Sequence, residues 1–366
     1  MASAARAARA AARGTIGLVT RSWPRHSRLF LVGEGSGWVI DHELAALSST
    51  ASALGYRVAD PRLLRASRDQ CAFYGSQFTL LVGPWSPPPH RLGVAYFHGL
   101  PGTPGMPEFD ECFRTLCEHH HELARVQVSH REMEELVLSS GIDPAKVFRI
   151  PIGIEGSYFH PPEPRRRDEL RAELGFPPSA FVVGCFQKDG VGWGDGRQPK
   201  EIKGPDVLLQ ALELLREGVP ELHVLLSGPA RGFVRAGLER LAIPYVHREL
   251  ESYDRMADLY GSLDAYVVPS RQEGGPKGVL EAMACGVPVV STRVGQATDL
   301  VAHGENGWLV PVEDAEGLAR WLAHVAARPP ELLRVVDVGL RTAAANTYEA
   351  QRPLWDELLT GFLART

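Results

Sequence analysis

Two glutamates, Glu273 and Glu281, stand eight positions apart in the stretch Ser270–Thr292, SRQEGGPKGVLEAMACGVPVVST. The apolar run Asp264–Pro269 ahead of it predicts a buried strand, Ser270–Gly275 a loop at that strand's carboxyl end, and Pro276–Ala284 a helix. Pro276 suits the first helical position, where a missing N–H is not needed. The N–H groups of Lys277 and Gly278 then leave the helix start unbonded beside the positive end of its dipole, and a phosphate is the ligand that geometry favours. Glu273 in the loop and Glu281 a turn and a half into the helix can touch different parts of one ligand. The same spacing also fits a capping side chain and a solvated helix residue.

Two other groupings carry weaker signals. Gly33, Gly35 and Gly37 follow a strand-like run and precede Asp60, but the third glycine of a dinucleotide fingerprint is missing, since Trp38 and Ile40 stand near its place. Cys112, Cys117 and His119–His121 gather metal-binding residue types, yet their spacing matches no standard zinc frame. A polar helix face with half-buried cysteines accounts for them better.

The elements that must position these residues follow from composition and periodicity. A chain of 366 residues exceeds what one core usually serves, so two domains are expected. A hydrophobic share of 44% and a charged share of 23% exclude a disordered chain. No apolar run is long enough to span a bilayer. A net charge of −5 gives no basic field for nucleic acid. Five scattered cysteines suit a reducing compartment, and a cytoplasmic location is expected.

Residues 1–27 form a basic, Ala/Arg-rich tail that reads as a solvated segment, with a transit peptide or a weak lipid-surface foot as alternatives, so peripheral membrane contact stays open. From residue 28, short apolar runs alternate with helical stretches, the pattern of parallel sheets. In residues 28–150, strands are expected at Arg28–Gly33, YRVADP, Phe78–Val82 and Gly93–Phe97, and helices at Glu108–Arg125 and His130–Ser139. Residues 151–345 repeat the pattern with strands at Phe181–Phe186, Leu222–Ser227, near Tyr245, Asp264–Pro269, Val287–Thr292 and Trp308–Pro311. Helices there are expected at Gly204–Leu215, Ser252–Leu263 and Pro276–Ala284. The prolines of PIGIEGSYFHPPEP mark the boundary, and residues 346–366 are expected to carry a helix that packs back across both domains.

The Glu273–Glu281 segment resembles the E-x7-E signature of family 4 retaining glycosyltransferases of the GT-B fold. The likeness runs from about Lys146 to Ala319 and includes KVFRIPIGIEGSYFHP, LYGSLDAYVVPSRQEG and VGQATDLVAHGENGWLVP. Five residues depart from the family pattern: Ile152 stands for asparagine, Lys188 for arginine, Gln296 for the second of two glycines, Pro276 for a glycine and Lys277 for an apolar residue. The resemblance implies two Rossmann-like, doubly wound domains facing a central cleft, with a donor-binding second domain and an acceptor-side first domain.

It also implies roles, residue by residue. Glu281 would accept hydrogen bonds from the ribose hydroxyls of a sugar nucleotide, and Glu273 would contact the donor sugar and stabilise the reacting centre. Lys203, in EIKGPDVLLQAL, would neutralise the diphosphate together with Lys188, in CFQKDG, where the family usually has arginine. Gly275, Lys277 and Gly278 complete the donor side of the second domain. In the first, Gly35 and Gly37 match the turn facing the diphosphate, and His98, in AYFHGLPG, matches a histidine beside the donor sugar. Between the two lysines lies VGWGDGRQP, a glycine-rich insertion with no role in the pattern. The implied activity is retaining transfer of a sugar from a nucleoside diphosphate, needing no cofactor and no metal, to a sugar, lipid or small-molecule acceptor. No D-x-D metal-binding spacing occurs in the chain. A nucleotide-sugar epimerase or hydrolase of the same fold, and a binding protein with weakened catalysis, are the alternatives.

Overall fold

The computed structural model describes residues 23–35 and 39–365. Most of the basic tail and Gly37 therefore lie outside the described residues. The chain divides into two compact units, one running to Pro151 and resuming from Gln351, the other spanning Ile152–Ala350.

The first unit is built on a six-stranded parallel sheet in the order β2-β1-β3-β4-β5-β6. Its strands are β1 Leu29–Val32, β2 Val58–Ala59, β3 Cys71–Tyr74, β4 Arg91–Tyr96, β5 Leu123–Val128 and β6 Val147–Arg149. The register sets Leu29 beside Cys71 and Phe73 beside Gly93, where a Cβ would lie 2.7 Å from the Phe73 ring. A tight sheet therefore requires glycine at position 93.

Two expectations for this unit are corrected. Phe78–Val82 is not a strand: Gln77–Leu81 is a helix, because the Ser76 side chain accepts the Phe78 N–H and caps it. A short apolar run carries no period that tells the two apart. The helix expected over Glu108–Arg125 ends at His119, a short turn covers His120–Glu122, and the rest is β5. Arg125 sits inside that strand because its guanidinium donates to the carbonyls of Leu358 and Thr360 at 2.8 and 2.9 Å. Those acceptors follow from the helix Arg352–Leu359, which belongs to this unit.

The second unit holds another six-stranded parallel sheet, ordered β12-β11-β10-β7-β8-β9. Its strands are β7 Phe181–Cys185, β8 Leu222–Ser227, β9 Tyr245–Arg248, β10 Ala265–Val268, β11 Val289–Thr292 and β12 Trp308–Val310. Alternate residues serve opposite faces. Val183, Val224 and Val267 pack with Leu208, Leu212 and Leu322 on one side, while Val182, Leu225 and Val268 pack with Tyr260 and Leu280 on the other. Both faces are buried, which is why these strands read as continuous Val/Leu runs. Each such side chain contributes about 1.5–3 kcal/mol of burial.

Two helices here are shorter than expected. Ser252–Leu263 resolves into a turn at Tyr253–Arg255 and a helix at Met256–Gly261, and Pro276–Ala284 becomes a helix at Gly278–Ala284. Pro276 instead opens the preceding turn, its carbonyl accepting from Val279 N at 2.9 Å. Among the described residues, no helix is long and apolar enough to cross a membrane.

Candidate active site

In the second sheet β7 lies between β8 and β10, so the strand order reverses beside β7. Loops leaving neighbouring strands there diverge, and ligands of open α/β sheets bind at such points. Glu273 lies in the loop after β10, and Gln187 and Lys188 lie in the loop after β7.

A third segment is laid against them. Arg271 N and Gln272 N both donate to Ile202 O, at 2.9 and 3.1 Å. Gly204, at φ +60°, starts the helix Pro205–Gly218, and a Cβ there would stand 2.1 Å from Pro269 O. Only glycine allows that backbone approach and that conformation. The result is that Lys203 Nζ reaches both carboxylate oxygens of Glu273 at 2.6 Å. Ser270 Oγ and Gln187 Nε2 also donate to Glu273 Oε1, at 2.8 and 2.7 Å. The Glu273 side chain is 9% exposed and that of Lys203 22%. A pair this buried is held because each charge meets the other and further donors satisfy the carboxylate.

An outer brace fixes the loop. Arg271 makes a two-toothed pair with Asp206 at 2.8 and 2.7 Å, bonds Glu313 at 2.7 Å, and donates to Glu201 O at 2.9 Å. The hydrogen bond from Arg271 holds the Asp206 carboxyl below its ordinary 3.8.

Glu281 is held by different chemistry. It is buried, 4% exposed, and both its oxygens accept from phenols: Tyr253 OH on Oε1 and Tyr260 OH on Oε2, the latter at 2.7 Å. Burial, and next the Glu281 charge, push the Tyr260 phenol well above 10, so it remains a donor. Each carboxylate oxygen keeps a second lone pair for another donor. Gly278 is demanded by packing, since a Cβ there would meet Tyr266 OH at 2.3 Å.

Lys277 is also buried, at 6% exposed. Its ammonium donates to Tyr348 OH at 2.7 Å and lies 5.1 and 5.2 Å from the ring centroids of Tyr253 and Tyr348. Two departures from the family pattern meet in one contact. Gln296 Oε1 accepts from Ile152 N at 2.8 Å, and its Nε2 donates to Ile152 O at 3.2 Å. The side chain thus mimics a strand partner for Ile152. A Cβ on Gly275 would strike Ile152 Cδ1 at 2.6 Å and Gln296 Oε1 at 2.8 Å, so Gly275 closes the same contact.

Lys188 follows Gln187, and its ammonium stands 3.8 Å from the Trp193 ring centroid. Partial burial lowers its pKa from 10.5.

The remaining expected residues belong to the first unit. Gly35, at φ +66°, donates its N–H to Asp41 Oδ1 at 3.3 Å. His98 follows β4, its ring edge-on to Phe78 and Phe109 at 5.4 and 5.6 Å. Gln77 fixes that corner, donating to His98 O and accepting from Phe97 N. The Cys/His grouping is dispersed: Cys112 is buried, Cys117 is exposed, and His119 stacks on Trp85 at 4.5 Å. Among the described residues, no three His, Cys, Asp or Glu side chains are placed to hold a metal ion.

Gln187, Ser270, Tyr253, Tyr260 and Tyr348 are contacts that sequence reasoning passed over. Gln187, Ser270 and Tyr260 lie inside the quoted motifs and Tyr253 in the stretch expected to be helical, whereas Tyr348 lies outside every quoted motif.

Residues 195–328 match the family of glycosyl transferases group 1. The chain is 33% identical over 254 residues to a D-inositol 3-phosphate glycosyltransferase of Jonesia denitrificans, covering 66% of this chain and 56% of that one. It is 31% identical over 260 residues to the enzyme of the same name from Segniliparus rotundus, covering 68% and 52%. The chain thus spans about half the length of these curated relatives. Among solved structures, HepE of Anabaena in complex with UDP-glucose superimposes with a TM-score of 0.72 at 18% identity, over 91% of this chain and 99% of that one. With its two Rossmann-like units, the protein has the GT-B fold.

Proposed function

We propose that the protein is a glycosyltransferase that moves a sugar from a nucleoside diphosphate to an acceptor, with retention and without a metal. The second unit is the donor half and the first the acceptor side. The observation that carries this reading is the convergence of Lys203, Ser270 and Gln187 on Glu273 at the switch point of a sheet whose residues 195–328 match a glycosyltransferase family. The D-inositol 3-phosphate glycosyltransferase relatives and the UDP-glucose bound by the Anabaena protein support a nucleotide-sugar donor.

In this reading the bond from the anomeric carbon to the diphosphate oxygen breaks. Positive charge grows on the sugar and negative charge on the leaving phosphates. Lys203 and Lys188 stabilise the phosphates as fixed charges, which need no reorganisation as the bond breaks. Glu273 faces the sugar and balances the developing cation, while Glu281 takes the ribose hydroxyls. The acceptor hydroxyl adds on the face the diphosphate leaves, and its proton passes to the departing phosphate oxygen. No enzyme nucleophile is then required. Gly275, Lys277 and Gly278 shape the sugar side.

The test is incubation with UDP-, GDP- and ADP-sugars over an acceptor panel, following free nucleoside diphosphate and the anomeric configuration of the product by proton NMR. Transfer with the donor's configuration kept, undiminished by EDTA, is expected. Full loss with EDTA restored by Mn²⁺ or Mg²⁺ would overturn metal independence. Donor turnover with no acceptor present would favour an epimerase or hydrolase, and an inverted product would overturn retention.

A further inference from the structure

The insertion between Lys188 and Lys203 is a built element. Val191 N donates to Gln198 O at 2.9 Å and Lys200 N to Asp189 O at 2.7 Å, with an antiparallel bridge between Gly190 and Pro199. Its loop is seated against the start of the helix Gly232–Arg240. Gly232 N and Phe233 N donate to the carbonyls of Asp195 and Gly196 at 2.7 and 3.0 Å, so the hairpin satisfies two helix-start donors. A Cβ on Gly190 would lie 2.3 Å from Ala230 O, and one on Gly196 2.2 Å from the same atom. Asp189, fully buried, pairs with Arg231 at 2.8 Å, and Arg231 also donates to the carbonyls of Cys185 and Ser227 at 2.7 and 2.8 Å. The hairpin is thereby fastened to the ends of β7 and β8.

What this frame holds out is Trp193, 62% exposed. Here the ring meets the Lys188 ammonium, 3.8 Å from its centroid.

We propose that Trp193 is a positioning residue for the donor diphosphate, holding the Lys188 ammonium over its ring at the place where it meets phosphate oxygens. The inference rests on Lys188 being a diphosphate ligand in the proposed transferase. The physical need is specific to this chain. A guanidinium brings a rigid fork matched to phosphate, whereas a lysine is a point charge on a flexible stem that loses rotamer freedom when it binds. A ring already holding the ammonium removes part of that loss and sheds water from it, which strengthens its attraction to an anion. The lysine and the tryptophan-bearing insertion are two departures from the family pattern that act as one device.

The test is a set of calorimetric titrations of the full chain with UDP, GDP, ADP and TDP and with the matching nucleosides. Trp193→Ala is expected to weaken diphosphate binding about three- to tenfold and leave nucleoside binding unchanged. Trp193→Phe should recover most of the loss and Trp193→Gln none of it. In a Lys188→Ala background, Trp193→Ala should cost nothing further. If Lys188→Ala weakens the diphosphate and Trp193→Ala does not, the inference falls and the donor-site reading stands. Equal weakening of diphosphate and nucleoside by Trp193→Ala would also overturn it, since a merely structural role predicts that. Unchanged binding in Lys188→Ala, or flat titrations with all four diphosphates, would overturn the reading of Lys188 and the inference together.

Discussion

Both sheets are parallel and six-stranded, yet the loops at their strand ends carry different chemistry. In the first unit, the loops after β1 and β4 present Gly35 and His98, fixed by backbone hydrogen bonds and ring contacts from Asp41, Gln77, Phe78 and Phe109. In the second, Glu273 is locked to Lys203 by charge and Glu281 to two phenols. Paired charge in a buried setting is costly to break from one side, because the survivor is left uncompensated. Packing contacts lose only what they contributed. The second unit should therefore be far more sensitive to single polar substitutions than the first, and the following experiments test that contrast.

The largest effect is expected from Glu273→Gln, which keeps the shape and leaves the Lys203 charge unanswered. Turnover should fall by at least about a hundredfold, the order seen when a transition-state charge contact is lost. His98→Gln should cost about tenfold in the same assay. Comparable losses would erase the contrast between the units. Next comes Glu281→Ala, expected to weaken nucleoside diphosphate binding by about ten- to a hundredfold in calorimetry, in keeping with hydrogen bonds to a charged group. Tyr253→Phe should cost less, since Tyr260 still holds the carboxylate.

A stability effect follows in size. Gln296→Ala removes two hydrogen bonds to the Ile152 backbone and should lower the unfolding free energy by about 2 kcal/mol in urea titration. No change would mean that Ile152 finds other partners. The smallest effect belongs to Asp206→Asn, below about 1 kcal/mol because the pair with Arg271 is half-exposed. Its sign with pH is fixed. A carboxyl held below 3.8 in the folded state stabilises above 3.8 and loses that contribution as pH falls through its folded value. The difference between parent and variant should vanish in acid, and a difference that grows there would contradict the brace.

Legibility in the sequence divides along the same line. Leu222–Ser227 is a strand from end to end as its apolar run suggests, and Phe181–Cys185 differs from expectation by one residue. Strands buried on both faces leave an uninterrupted apolar signature. In the first unit, Cys71–Tyr74 carries no expected strand, and Leu123–Arg125, the first half of the strand Leu123–Val128, reads as the end of a helix because Arg125 breaks the apolar run. What makes Arg125 tolerable in a strand is a pair of carbonyls 233 and 235 residues away, a partnership no local window contains. The candidate site divides similarly. Glu273 and Glu281 carry a spacing that is visible in the sequence and Lys188 and Lys203 stand out by the family resemblance, whereas the phenols on Glu281 and the amide clamp of Gln296 exist only once distant segments meet. Pro276 shows the opposite failure. Its residue type suits a helix start, but the helix begins two residues later, at Gly278, where Tyr266 leaves room for no side chain.

The most direct test of the central claim is a thermal-shift panel of the full chain with UDP, GDP, ADP, TDP and NAD, repeated on Glu281→Ala. A ligand at a hundred times its dissociation constant adds about 2.7 kcal/mol to the folded state, well within reach of such a scan. A clear rise in melting temperature with one nucleoside diphosphate, absent in Glu281→Ala, is the predicted result. Flat curves with every diphosphate, or a rise with NAD alone, would contradict it.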